Sequence, residues 1–293
     1  MRFGPAVAVI AFALVACRLP ASEHRAEYLG SYEWTGAGGW FGGFSAIELD
    51  PDGLGLFALT DRGFFARALI DREAGLIADI TVDEWWWLRS STGGRLSKGI
   101  TDAEGLDIEP DGTMHISFEG SHRVATYDTP DSAAQVRSRA ATFAGMGANK
   151  SLEALAQDDQ GRLYTLPEGS RDAHGGIPVY RLENDRWTVP FSLPSSRGFQ
   201  PVGADFGPDG RFYLLERGFS VIGFRTQLRR WSFGADGPEA EATLIRTAFG
   251  THDNLEGLSI WRDEVGILRA TMISDDNFKS FQRTEIVEYA LPD

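Results

Sequence analysis

The chain has 293 residues, 42% of them hydrophobic and 12% aromatic, a composition that belongs to folded proteins and excludes a disordered one. Its formal net charge of −14 excludes the basic footprint that a nucleic-acid backbone requires. Lysine is confined to Lys98, Lys150 and Lys279, so arginine carries nearly all the positive charge.

At the N-terminus, Arg2 is followed by an apolar run over 6–16 that is too short to span a bilayer as a mature helix. The run ends in Leu14-Val15-Ala16-Cys17, a bacterial lipobox. This predicts a signal peptide over 1–16, cleavage before Cys17, lipidation of Cys17 and a linker over 17–25. The alternative is an ordinary secretory signal cut after Ala21. Both readings export the mature protein. The first makes it a lipid-anchored, periplasm-facing protein that meets the membrane only through its lipid; the second makes it soluble and periplasmic. Cys17 is the sole cysteine, so packing must hold the fold without an internal disulfide.

From residue 26 onward the sequence repeats. Five stretches align: "SAIELDPDGLGLFALTDRG" from Ser45, "EGLDIEPDGTMHISFEG" from Glu104, "EALAQDDQGRLYTLPEG" from Glu153, "VGADFGPDGRFYLLERG" from Val202 and "EGLSIWRDEVGILRATMISD" from Glu256. The turn glycines Gly53, Gly112, Gly161 and Gly210 are 59, 49 and 49 residues apart, and Glu264 takes the equivalent place 54 further on. Each copy reads as strand, Pro-Asp-Gly-type turn, strand, which is a hairpin. Two further strand-like runs follow in each period, and four strands per period of about 50 residues is a β-propeller blade. The last copy has three strands, and "AEYLGSYEW" at 26–34 supplies the fourth and closes the ring. The expected fold is all-β, a single propeller over 26–293 with five blades. Six stay open if the segment around Trp85, Trp86 and Trp87 hides a degenerate blade. Those three tryptophans are expected to pack between blades.

In a propeller the start of each first strand and the end of each second strand share one face. The leading positions are Ser45, Glu104, Glu153, Val202 and Glu256; the trailing acids are Asp61, Glu119, Glu168, Glu216 and Asp275. Asp102, Asn149, Gln200 and Asn254 precede the first strands. All should gather at one mouth of the central channel, where so many carboxylates repel one another unless neutralised. One neutraliser is a hard cation: carboxylate and amide oxygens without sulfur or paired imidazoles suit Ca²⁺ first, then Mg²⁺ or Mn²⁺. The other is the set of bases after the acids, Arg62, Arg123, Arg171, Arg217 and Lys279, with Lys150 beside Asn149 and Lys98 close to Asp102. Acid–arginine staples between blades are the structural alternative.

The stretches "LTDRG", "DAEGLDIEPDG", "NKSLEALAQDDQGRLY", "DNLEGLSIW" and "ISDDNF" resemble the bacterial phytase-like domain family, described as having esterase-like activity of phytase. The resemblance covers most of the mature chain from Tyr28 and implies a propeller, export and hydrolysis of phosphate or other esters. True β-propeller phytases are similar in their acidic, calcium-dependent chemistry and have six blades.

Motifs for other hydrolases are missing. There is no Gly-x-Ser-x-Gly elbow, no Walker-type loop, no Arg-His-Gly of a histidine acid phosphatase and no zinc spacing among His24, His115, His122, His174 and His252. His122, His174 and His252 are placed to reach the carboxylate face from loops. For an enzyme, the inventory gives Glu104, Glu153, Asn254 and Glu256 as metal ligands. Asp61, Glu119 or Asp275 would then be the catalytic base, and Arg62, Lys150, Arg171 and Arg217 would hold an anionic small-molecule ester. Two other classes compete: a non-catalytic propeller binding an envelope ligand, and a scaffold whose acids are staples. A monomer is expected.

Overall fold

Each repeat alternates large apolar residues with small or polar ones, the period-2 pattern of a sheet whose faces pack against neighbours. The computed structural model, which describes residues 25–147 and 151–293, turns this pattern into five four-stranded antiparallel sheets. Blade 1 is β2 (Phe44–Leu49), β3 (Gly55–Thr60), β4 (Phe64–Glu73) and β5 (Leu76–Trp87). Blade 2 is β6 (Ala103–Ile108), β7 (Met114–Phe118), β8 (Arg123–Tyr127) and β9 (Gln135–Val136). Blade 3 is β10 (Leu152–Gln157), β11 (Leu163–Pro167), β12 (Ile177–Glu183) and β13 (Arg186–Leu193). Blade 4 is β14 (Gln200–Phe206), β15 (Phe212–Ser220), β16 (Gly223–Gly234) and β17 (Gly237–Arg246). Blade 5 is β18 (Leu255–Arg262), β19 (Leu268–Ser274) and β20 (Glu285–Ala290), completed by β1 (Glu27–Glu33) on its outer edge. The count is five, and the long first interval adds no sixth blade. Apart from a 3₁₀ turn at Ala141–Gly145, the described residues contain no helix, and none long and apolar enough to cross a membrane.

The inner strands β2, β6, β10, β14 and β18 lie side by side around the axis. Their close approach explains the small second residue of each copy, Ala46, Gly105, Ala154, Gly203 or Gly257. A Cβ on Gly203 would stand 2.4 Å from the Glu256 carbonyl oxygen, and one on Gly257 would stand 2.8 Å from the Ile47 nitrogen. The apolar core is divided into five clusters, one for each blade-to-blade interface. Leu215, Leu228, Leu258 and Met272, for example, fill the space between blades 4 and 5.

Between first and second strands the register shifts at one recurring place: Phe44/Ala46, Ala103/Leu106, Leu152/Ala154, Pro201/Gly203 and Leu255/Gly257. Such a bulge re-aims the residue it frees. That residue is Ser45, Glu104, Glu153, Val202 or Glu256, the leading position of every copy.

Candidate functional site

Backbone pairing at the channel mouth defines three rings of five residues. The Asp61, Glu119, Glu168 and Asp275 amides donate to the carbonyls of Gly43, Asp102, Ser151 and Asn254, and Arg217 pairs with Gln200 in the fourth blade. The trailing ring is therefore Asp61, Glu119, Glu168, Arg217 and Asp275. The outermost ring is Gly43, Asp102, Ser151, Gln200 and Asn254, with Ser151 where the sequence reading placed Asn149. The leading ring is Ser45, Glu104, Glu153, Val202 and Glu256. Among the described residues the mouth thus gathers Asp61, Asp102, Glu104, Glu119, Glu153, Glu168, Glu256 and Asp275 around Arg217.

Glu216, read from sequence as the fourth trailing acid, does not belong to this ring. It lies one residue earlier, faces away from the mouth and is fully buried. Its carboxylate accepts from Arg229 Nε at 2.6 Å and Arg229 Nη2 at 2.7 Å, and from Gln227 Nε2 at 2.8 Å. It is a staple inside blade 4. Arg217 takes the ring position and donates to Glu168 Oε1 at 2.9 Å, to Asn254 Oδ1 at 2.9 Å and to Glu256 Oε1. One guanidinium therefore ties blades 3, 4 and 5 together at the mouth.

Among the described residues the remaining acids have no such partner. Oxygens of Asp102, Glu104 and Glu119 lie within 4.8 Å of one another, as do those of Glu119, Glu153 and Glu168. Burial, then the charges of Glu256, Asp102, Glu119 and Asp61, hold the Glu104 carboxyl well above the usual range. Glu153 is raised in the same way by burial and by Glu104 and Glu119. Burial and Asp275 push Asp61 up to about 7, while Arg62 pulls the other way. Burial and Glu256 push Asp275 up to about 7. Glu256 is also raised by burial, with Arg217 opposing. Among the described residues Asp61 Oδ1 is buried without a hydrogen-bond partner. Oxygens around one Ca²⁺ at about 2.4 Å are at most about 5 Å apart, so each triplet fits a hard cation, and the all-oxygen donor set suits it.

The bases that follow the trailing acids, Arg217 apart, form no ion pair with them among the described residues. Arg62 stacks over Phe278 at 3.2 Å, and Arg171 donates to the Glu168 and Ser170 carbonyls at 2.9 and 2.8 Å. Arg123 stacks over Phe118 and donates to the Ile100 carbonyl. Lys150, Asn149 and Cys17 lie outside the described residues. His252 turns away from the mouth, bonding Tyr289 Oη at 2.7 Å, and its pKa is lowered by burial. Of the three tryptophans, Trp86 packs with Phe65 between blades 1 and 2. Trp85 and Trp87 lie against Phe64 instead, and Trp85 remains 52% exposed.

The sequence reading missed a second carboxylate group deeper in the channel, Glu48, Asp107 and Asp205. These sit three residues after the leading position in their own blades. Asp107 Oδ2 accepts from the Gln157 amide at 2.6 Å, and Asp205 Oδ2 from the Ile260 amide at 2.5 Å. Ser259, equivalent in blade 5, accepts from the Leu49 amide at 3.1 Å and donates to Glu48. These residues link the inner strands of blades 2 and 3, 4 and 5, and 5 and 1. The signal was an acid three residues after the leading position in copies 1, 2 and 4.

A family model described as phytase-like, esterase-like activity of phytase, matches residues 39–278. No curated protein matches the chain. Among solved structures, the PQQ-bound aldose sugar dehydrogenase from Streptomyces coelicolor is similar at 11% identity and TM-score 0.47, covering 89% of this chain and 98% of that one. The gluconolactonase XC5397 from Xanthomonas campestris is similar at 14% identity and TM-score 0.46, covering 85% and 72%. A luciferin-regenerating enzyme is similar at 9% identity and TM-score 0.46, covering 89% and 95%. The family model spans the ring from the loop before β2 to the loop after β19, and on that match the chain belongs to the phytase-like family.

Proposed function

We propose that the protein hydrolyses phosphoesters or related esters at the carboxylate mouth with the help of a hard divalent cation, Ca²⁺ before Mg²⁺ or Mn²⁺. The observation that carries this reading is the crowd of mutually repelling carboxylates in which Asp61 Oδ1 has no partner. Glu104 and Glu153, each grouped with Glu119, would hold the cation; Glu256 and the Asn254 amide oxygen, expected from the sequence to join them, are taken up by Arg217 instead. When bound, it would polarise the ester's oxygen and acidify a water. Asp61 and Asp275, each held near pH 7, are suited to take that proton at physiological pH. Arg62 and Arg171 form no ion pair among the described residues and would hold the substrate's anionic group, together with Lys150. Arg217 is already engaged by Glu168, Glu256 and Asn254 and would serve as the site's fixed counter-charge.

The same proposal places the protein outside the cytoplasm, with Cys17 lipidated, on the strength of the lipobox. The activity is tested by p-nitrophenyl phosphate turnover in calcium buffer and in chelator. The expected result is calcium-dependent turnover that Asp61→Asn lowers by about 10²-fold or more. Turnover no greater than the buffer blank, with phosphate and carboxylate esters alike, would overturn the hydrolase reading.

A further inference from the structure

In blade 4 the second and third strands do not stop at the mouth. Arg217 faces Gln200, the first residue of β14, yet β15 and β16 stay paired beyond it through Gly218↔Arg225, Phe219↔Phe224 and Ser220↔Gly223. The hairpin therefore stands three rungs above the carboxylate rings as an ordered wall. Side chains alternate along a strand. Leu215 packs toward blade 5, Arg217 reaches Asn254 and Glu256 of blade 5, and Phe219 continues the same row upward, its ring 5.1 Å from that of Phe224.

What this wall presents is apolar. Phe219 is 71% exposed, Val221 101% and Ile222 70%. Val221 and Ile222 occupy the two-residue loop of the hairpin at ordinary negative φ, and Gly223 beside them takes the left-handed backbone at φ 119°. β-branched residues at this tip expose apolar surface to solvent without burying anything. Exposed apolar side chains grouped next to a site are the pattern expected of a functional surface. The row also joins directly to the mouth through Arg217.

We infer that the hairpin is a specificity element: Phe219 and Val221 cover an apolar group of the substrate whose anionic head lies at the mouth. The substrate class is an amphiphilic ester, an alkyl or aryl chain on a phosphate or similar head, in place of a uniformly charged polyphosphate. This rests on the proposed anionic-ester site and adds the part of the substrate that site does not hold.

The test measures binding, so it does not depend on turnover. Ethylphosphonate and hexylphosphonate are titrated calorimetrically into the protein in calcium buffer, and into a Phe219→Ser/Val221→Ser variant. Each buried methylene contributes at most about 0.8 kcal/mol, so four extra ones, partly covered, are expected to tighten binding by about tenfold. The variant is expected to bind ethylphosphonate as the wild type does and to lose the chain-length preference to within about twofold. Equal affinity for both phosphonates in the wild type, or an undiminished preference in the variant, overturns the inference while leaving the anionic site intact. Hexylphosphonate binding without any ethylphosphonate binding supports the hairpin and overturns the anionic-head site. Failure of both ligands to bind overturns both.

Discussion

Arg217 of the fourth blade donates to Glu168 of the third at 2.9 Å and occupies in its own blade the place that Glu168 occupies in its blade. One position of an acidic ring has thus become its counter-charge. The same guanidinium reaches Glu256 and Asn254, so blades 3, 4 and 5 share one cation where they meet at the mouth.

Arg217→Met leaves Glu168 and Glu256 without their partner in a buried setting. Removing one member of a buried pair costs about 3–5 kcal/mol, and urea unfolding at pH 8 should show a loss of that size. At pH 5 the loss should shrink, because Glu256, already raised by burial, takes up a proton. An equal loss at both pH values would mean that the arginine acts by packing alone.

Glu216→Gln breaks the staple to Arg229 deep in blade 4. The expected cost is again about 3–5 kcal/mol in urea unfolding. Cation binding and turnover of the surviving folded protein should match the wild type, since Glu216 faces away from the mouth. A change in cation affinity would return Glu216 to the site.

The pH dependence has a definite sign. Asp61 and Asp275 are raised to about 7 in the folded protein, whereas carboxyls of the unfolded chain titrate near 4. The folded state therefore binds more protons between these values, and stability falls as pH rises from about 4 to about 7, then levels off. Metal-free protein should melt at a higher temperature at pH 5.5 than at pH 8, and saturating Ca²⁺ should raise the pH 8 value toward the other. A metal-free Tm that rises with pH over this range would contradict the assigned shifts.

Much of this architecture was legible because a propeller writes itself as a period. The glycine spacing gave five blades, and the missing fourth strand of the last copy pointed to β1. The mouth was legible too, because the bulge places each leading residue at the same point of its blade. The error at Glu216 came from trusting residue type over distance. Glu119, Glu168 and Arg217 each lie seven residues after their turn glycine, and Glu216 lies six. Arg217 at that spacing breaks the run of acids, and the acid beside it mimics the expected chemistry. The deeper group of Glu48, Asp107 and Asp205 was missed for another reason. Its members follow the bulge by three residues and so point into the channel, which a count of strict alternation from Glu104 does not predict.

The central claim is that the mouth carboxylates form a cation site. Calcium titrated calorimetrically into chelator-stripped protein, alongside Glu104→Gln and Glu153→Gln, tests it most directly. The account predicts saturable binding in the wild type that both substitutions abolish or weaken by at least about tenfold. Heat no greater than dilution in the wild type, or unchanged binding in both variants, would contradict it.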